Sequence, residues 1–278
     1  MEALRRARDT KGLGGLLVLR PGALGDTLLA VPALRALRVR GYSPLTLAAH
    51  AGAARLLTSV REVEVGLAFD DPSLGSLFGQ DHATAEAIVA WMNPGRVPGL
   101  QSALMVAPSR PPGEDVHCAR YLVETLAGLG ADGVVDERPL SVKPRVSDEV
   151  LVHAGSGSAV KNWPARYFAE TIRALDGPVR MIVGEADEQV ALAVEACLGK
   201  ALPRLERVPL EHLAASLAGC RAYLGNDSGV SHLAGLSGAR TVAMFGPTPP
   251  EVWRPLGPNV HVSNFDTPPE RIVSLLTR

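Results

Sequence analysis

Leu224 to Thr248 reads LGNDSGVSHLAGLSGARTVAMFGPT, and few folds accommodate that order of residues. A short apolar run ends at Gly225 and is followed by Asn226, Asp227, Ser228 and Gly229, residue types that cap and open a helix. A second apolar run, Thr241 to Phe245, then breaks at Gly246 and Pro247. Strand, helix and strand in succession predict a βαβ unit, hence an open sheet with parallel strands. The loops at the carboxyl ends of such strands are where open α/β sheets bind ligands. A helix N-terminus adds unpaired N–H groups and a positive dipole end, which favour an anion such as a phosphate.

The same grammar recurs along the chain. Gly15 to Arg20 (GLLVLR) reads as a strand and Pro21 to Gly25 as a Gly-containing turn; Asp26 onward carries a helical pattern to Arg40. Pro32 should kink that helix or start its regular part. Further strands are expected at Leu45 to Ala49, Val63 to Phe69, Ile88 to Met92 and Ala103 to Ala107, with helices at Gly52 to Ser59 and Val116 to Leu129. Arg138 to Asp148 (RPLSVKPRVSD) holds two prolines and lacks periodicity, so it is expected to be a linker. Beyond it come strand Glu149 to Ala154, a helix from Pro164 to Leu175, strand Val179 to Gly184, helices Ala186 to Leu198 and Leu210 to Ala218, and strand Ala222 to Gly225. Helix Val230 to Leu236 and strand Thr241 to Phe245 follow. Two α/β domains result, 1–140 and 141–278, with a ligand expected in the cleft between them.

Composition narrows the function classes. A chain of 278 residues with 46% hydrophobic residues can bury two cores, and a net charge of −1 argues against a nucleic-acid binder. Cys118, Cys197 and Cys220 are odd in number and far apart, which offers neither a disulfide framework nor a CxxC zinc site and fits a reducing cytoplasm. No apolar run reaches the ~18 residues of a membrane span. The N-terminus, with Arg5, Arg6, Arg8 and Lys11, lacks a cleavable signal pattern, so a soluble protein that can still touch a membrane surface is expected.

Three segments could carry chemistry. RPGALGD, Arg20 to Asp26, lacks both the GxGxxG and the GxxxxGKT spacing, which disfavours a dehydrogenase and a nucleotide-hydrolysing loop. What remains is a carboxylate at a helix start: Asp26 either caps the helix or accepts a proton from a hydroxyl nucleophile. In HAGSGSAVKNWP, residues Gly155 to Ser158 let backbone and hydroxyl groups approach a ligand, and Lys161 offers a point charge for a phosphate or is plain solvated surface. His153 reads as a hydrogen-bonded structural histidine and Trp163 as packing. In the third segment Asp227 can accept from sugar hydroxyls while Ser228 and Gly229 present amides to a diphosphate; the bland alternative is an ordinary capped helix.

Taken together, VLRPGALGDTLLAVPALRALR, HAGSGSAVKNWP and GNDSGVSHLAGLSGARTVAMFGPTPPEVW resemble, in order and spacing, the bacterial heptosyltransferases of glycosyltransferase family 9. The resemblance runs from Leu17 to Trp253. It implies a GT-B fold, two Rossmann-like domains with parallel sheets facing across a cleft, the first binding the acceptor and the second a nucleotide sugar. It also implies an inverting transfer without a metal or other cofactor, from an ADP-sugar, ADP-heptose by default, to a lipopolysaccharide-core or related glycan acceptor at the cytoplasmic membrane face. By the same resemblance Asp26 matches the general base and Lys161 the lysine that neutralises the leaving diphosphate. Asp227 matches the acid holding the donor sugar, Ser228 and Gly229 the turn that meets the phosphates, and Glu188 the ribose-binding acid, with Glu185 and Asp187 beside it. Ser156 falls in the donor loop, and Val208 to Leu210 resemble the segment lining the adenine pocket. Asp70 to Pro112 carries no family signature. Arg96, Arg110 and Arg120 are either acceptor contacts or surface charges, and Asp70 with Asp71 reads as a solvated loop rather than a metal motif. A second class of function on the same fold is an inactive nucleotide-binding partner with a regulatory or scaffolding role.

Overall fold

A computed structural model describes residues 15–78, 87–93, 100 and 103–277. Arg5, Arg6, Arg8, Lys11 and Arg96 lie outside the described residues. The chain divides into two compact units, Met1–Asp136 and Glu137–Arg278.

Unit 1 comprises β1 (Leu16–Arg20), α1 (Leu24–Leu28), α2 (Val31–Arg40), β2 (Leu45–Ala49), α3 (Ala51–Ser59), β3 (Val65–Ala68), α4 (Gly75–Phe78), β4 (Ile88–Trp91), β5 (Met105–Ala107) and α5 (Cys118–Glu124). Its five strands are parallel in the order β3-β2-β1-β4-β5. The chain thus builds outward from β1 in one direction and then returns to the other side of it, so the topological switch lies between β1 and β4. The loop carrying Asp26 follows β1 at that point.

The expected single helix from Asp26 is two. α1 starts earlier, at Leu24, which puts Asp26 inside the first turn rather than at its opening. Pro32 occupies the second position of α2, where its missing N–H has no intrahelical acceptor to lose. The helix expected over Val116 to Leu129 is α5 followed by a separate 3-10 turn, Ala127–Leu129.

Unit 2 comprises β6 (Val150–His153), α6 (Ala165–Ala174), β7 (Val179–Val183), α7 (Glu188–Leu198), β8 (Arg204–Glu206), α8 (Leu210–Gly219), β9 (Ala222–Asn226), α9 (Gly229–Leu236), β10 (Thr241–Phe245), α10 (Pro250–Trp253), β11 (Val260–Asn264) and α11 (Pro269–Thr277). All six strands are parallel, in the order β11-β10-β9-β6-β7-β8, with the switch between β6 and β9. Val150, Val152, Met181, Leu224 and Met244 from the sheet pack with Trp163, Phe168 and Ile272 in one buried cluster.

The stretch expected to be a linker is tied down. Within unit 2 the Leu140 N–H donates to Leu236, Arg145 N–H to Ala215 and Ser147 N–H to Gly219, while the Glu137 carboxylate takes Arg254 Nη2 at 2.8 Å. Its backbone groups find acceptors on the unit, so a proline-rich composition has produced an extended strap rather than a tether.

Candidate active site

The two strands flanking the switch in unit 2 each end in one of the segments singled out by sequence. β6 runs into Ala154–Lys161 and β9 into Asp227–Ser228, with His153 opposite Gly225 in the sheet register. Residues far apart in the chain therefore arrive at one sheet edge.

Asp227 is the centre of that edge. Its side chain is 7% exposed and its Oδ2 accepts from Lys161 Nζ and from Thr248 Oγ1, each at 2.7 Å. Both bonds fall on one oxygen, so Oδ1 takes neither. Three loops, those after β6, β9 and β10, thus meet on a single carboxylate. Asn226 locks two of them together: its Nδ2 donates to the Ala154 carbonyl at 2.7 Å and its Oδ1 accepts the Trp163 N–H at 2.9 Å. Trp163 is itself buried, with Nε1 donating to the Phe265 carbonyl and its ring edge-on to Phe168.

Ser228 is the N-cap of α9, its hydroxyl accepting from the Ser231 N–H. The amides of Gly229 and Val230, ahead of that bond, have no acceptor within the helix, which is the arrangement that suits a phosphate oxygen. Ser228 also stands at the end of a buried polar relay. His153 Nε2 pairs with Asp187 Oδ2 at 3.0 Å, and His153 Nδ1 lies 3.4 Å from Ser228 Oγ. The His153 ring thus bridges the Asp187 carboxylate and the Ser228 hydroxyl.

Asp187 is held more firmly than its place in a loop suggests. Its Oδ2 also accepts the Gly184 N–H at 2.8 Å, and a Cβ on Gly155 would fall 1.8 Å from Oδ1, so only glycine leaves room for it. The hydrogen bond from His153, followed by that imidazole's charge and the Gly184 amide, holds the Asp187 carboxyl below its ordinary value, with burial opposing.

The structure brings together some of the sequence-selected residues and not others. Lys161, Asp227, Ser228 and Gly229 share one edge. Ser156 serves the loop itself, its hydroxyl donating to the Ser158 carbonyl and to Asn162 Oδ1. Glu188 does not join Lys161 and Asp227; it pairs with Arg204 at 3.1 Å, in a cluster with Glu195 and Glu206. Of the three acids Glu185, Asp187 and Glu188, it is Asp187 that turns into the loop after β6. Val208 is half-buried between β8 and α8. Thr248 and Asn226 emerge as polar anchors that residue type alone did not mark, because their roles depend on which strands are neighbours.

In unit 1 the turn after β1 is built around Asp26. Gly22 adopts φ +135°, and a Cβ there would stand 2.8 Å from Asp26 Oδ2. That oxygen reaches back to the Ala23 N–H at 3.0 Å, while Arg20 Nε donates to the Asp26 carbonyl at 3.1 Å. Arg120 pairs with Glu124 one helical turn away and is largely exposed. Asp71 caps the short turn after β3 through Ser73, as a solvated loop should.

Residues 142–273, which contain all of the unit 2 side chains just described, match glycosyltransferase family 9 (heptosyltransferase). The match spans just under half of the chain. A stretch of 125 residues is 30% identical to lipopolysaccharide heptosyltransferase 1 of Pseudomonas aeruginosa, covering 44% of this chain and 35% of that relative, about a third of its length. The fold extends the likeness beyond the family 9 match. The glycosyltransferase family 9 structure from Veillonella parvula superposes with a TM-score of 0.77 at 16% identity, covering 96% of this chain and 98% of that one. E. coli ADP-heptose lipopolysaccharide heptosyltransferase II gives 0.73 at 18% identity, covering 94% and 97%. E. coli heptosyltransferase WaaC, solved with ADP, gives 0.70 at 16% identity, covering 94% and 98%. The expected GT-B class, two Rossmann-like units each with a parallel sheet, therefore holds. Among the described residues no helix is long and apolar enough to cross a membrane.

Proposed function

We propose that this protein is an inverting glycosyltransferase that moves a heptose, or a related sugar, from an ADP-sugar to a lipopolysaccharide-core or similar glycan acceptor at the inner membrane face. The observation that carries the reading is the convergence of Lys161 and Thr248 on Asp227 Oδ2, beside the N-terminus of α9 and inside the family 9 match. A nucleotide sugar asks for two things at one place, donors for a diphosphate and an acceptor for sugar hydroxyls. Gly229, Val230 and Lys161 supply the first, and Asp227 Oδ1 the second.

In the transfer, the acceptor hydroxyl attacks the anomeric carbon opposite the diphosphate, and Asp26 of unit 1 takes its proton. As the bond to the diphosphate breaks, negative charge grows on the leaving oxygen, and Lys161 with the first amides of α9 answer it. Once the lysine has turned to the bound diphosphate, its charge and the fixed amide dipoles are in place before the bond breaks, so no metal is invoked. Donor identity follows the relatives described with ADP or ADP-heptose, and the acceptor class follows the lipopolysaccharide enzymes.

Calorimetric titration with ADP, UDP, GDP and NAD, then with ADP-heptose, tests the reading. ADP is expected to bind in preference to the other three, and ADP release is expected on adding heptose-deficient lipopolysaccharide. Absence of binding by every nucleotide would sink it.

A further inference from the structure

The last residue of β1 is a charge with no accessible surface. Arg20 is 0% exposed, and its Nη1 and Nη2 are buried without a hydrogen-bond partner. Unpaired polar atoms at such depth are costly, and in native proteins they call for an explanation. A strand end needs no arginine for packing; an apolar residue would fill the place without that penalty. Burial pulls the guanidinium below its ordinary pKa, Asp26 opposes that pull, and Cys118, Arg110 and Tyr121 complete its charged and titratable surroundings. The Cys118 thiol, also buried, is pushed up to about 11 and carries no compensating charge at neutral pH.

What Arg20 does hold is Asp26. Nε grips the Asp26 carbonyl at 3.1 Å, and Nη2 stands 3.6 Å from Oδ1, close enough for charge attraction and too far for a hydrogen bond. From the other side the Ala23 N–H fixes Oδ2 at 3.0 Å, in the space that Gly22 leaves open. The two carboxylate oxygens therefore differ. Oδ2 is spent on an amide, while Oδ1 faces a cation without giving up a lone pair to a donor. A full bidentate pair would have occupied both.

We propose that Arg20 is a positioning residue: by gripping the backbone of Asp26 and facing its carboxylate, it presents Oδ1 as the oxygen that takes the acceptor's proton. The inference rests on the transfer proposed above, with Asp26 as base. The proton passes from the acceptor hydroxyl to Oδ1 as the hydroxyl oxygen bonds to the anomeric carbon. The bond from that carbon to the diphosphate breaks, its electron pair leaves with the nucleotide, and Asp26 later returns the proton to solvent. A helix cap alone would be satisfied by the Ala23 amide and would have no use for the cation.

The test combines Arg20→Lys and Arg20→Met with Asp26→Asn in the full chain, assayed with ADP-heptose and heptose-deficient lipopolysaccharide, with folding checked by circular dichroism. Either Arg20 substitution should lower kcat by about tenfold or more and change KM for ADP-heptose by less than about threefold. In the Asp26→Asn background, Arg20→Lys should alter the residual rate by less than about threefold, because its effect passes through the missing carboxylate. Amide hydrogen exchange at Ala23, which needs no activity, should quicken once Asp26 is released. An Arg20 effect that persists undiminished without the Asp26 carboxylate overturns the proposal, as does unchanged exchange at Ala23. If Asp26→Asn leaves transfer intact, the base assignment fails instead, and the Ala23 amide still reports whether Arg20 holds the carboxylate. Should Arg20→Met fail to fold, Arg20→Lys carries both readouts.

Discussion

Lys161 Nζ stands 2.7 Å from Asp227 Oδ2, although the two residues are 66 positions apart. The pair exists because β6 and β9 are hydrogen-bonded neighbours, so the loops that follow them share one edge. Asp227 is the buried partner and Lys161 the partly exposed one, at 7% and 31%. The lysine can turn toward a ligand while the carboxylate stays in place.

Lys161→Ala should weaken binding of an ADP-sugar by about 10- to 100-fold at low ionic strength, and the gap from wild type should narrow as salt is raised, because a partly exposed point charge is screened. Titrations at two salt concentrations check this. A loss that is indifferent to salt would assign Lys161 to loop structure.

Thr248→Val removes one of the two donors on Asp227 Oδ2 while keeping the side-chain shape. The carboxylate should lose its fixed direction, and affinity for the ADP-sugar should fall by about fivefold, the worth of roughly 1 kcal/mol. Thr248→Ser should restore most of it. Titration of ADP alongside separates the sugar end from the nucleotide end: ADP affinity should change less.

Asp26→Asn should cut transfer by about 10²- to 10⁴-fold, the usual range for losing a general base, with ADP binding unchanged. Steady-state kinetics and calorimetry on the same preparation give both numbers. Loss of ADP binding to the same extent would make Asp26 a structural residue.

The Asp187 carboxyl is depressed by His153, so its stabilising contribution is complete above the ordinary carboxylate range, near ~3.9, and is lost as pH falls through the folded value. Asp187→Asn should lower Tm at neutral pH, through loss of a charged hydrogen-bond acceptor worth about 1–3 kcal/mol. On acidification from about pH 5 the variant should lose less stability than wild type. Parallel melting curves would refute this.

Gly155→Ala should destabilise unit 2 by about 1–3 kcal/mol, since the new methyl group would collide with Asp187 Oδ1 and has to displace it. Asp187→Asn does not relieve that collision, because the amide occupies the same space. Thermal melts of the two single variants and the double variant resolve it.

Continuous apolar runs were the most legible part of the sequence. Thr241–Phe245 is buried along its whole length and its bounds follow directly from the run. The edge strands of unit 2 were not legible: Arg204–Glu206 is mostly charged, and Val260–Asn264 is only partly buried, so neither presents a buried apolar signature. For the site, residue type and loop context pointed to Lys161 and Asp227 separately, while their contact depends on strand order, which spacing does not encode. Glu188 and its neighbour Asp187 show how contacts separate adjacent acids. Glu188, which the resemblance marked, pairs with Arg204, while Asp187 meets His153. Arg20 reads as an ordinary polar end to GLLVLR, since burial of a strand terminus is decided by what packs over it.

The strap that begins at Glu137 bears on how unit 2 can be handled by itself. An excised fragment starting at Ser141 would forfeit the carboxylate that grips Arg254 and the Leu140 amide that closes on α9, leaving that helix less well anchored. Chimaeras that exchange unit 2 for its counterpart in another chain of this fold therefore inherit a rule of joinery: the seam belongs ahead of Glu137.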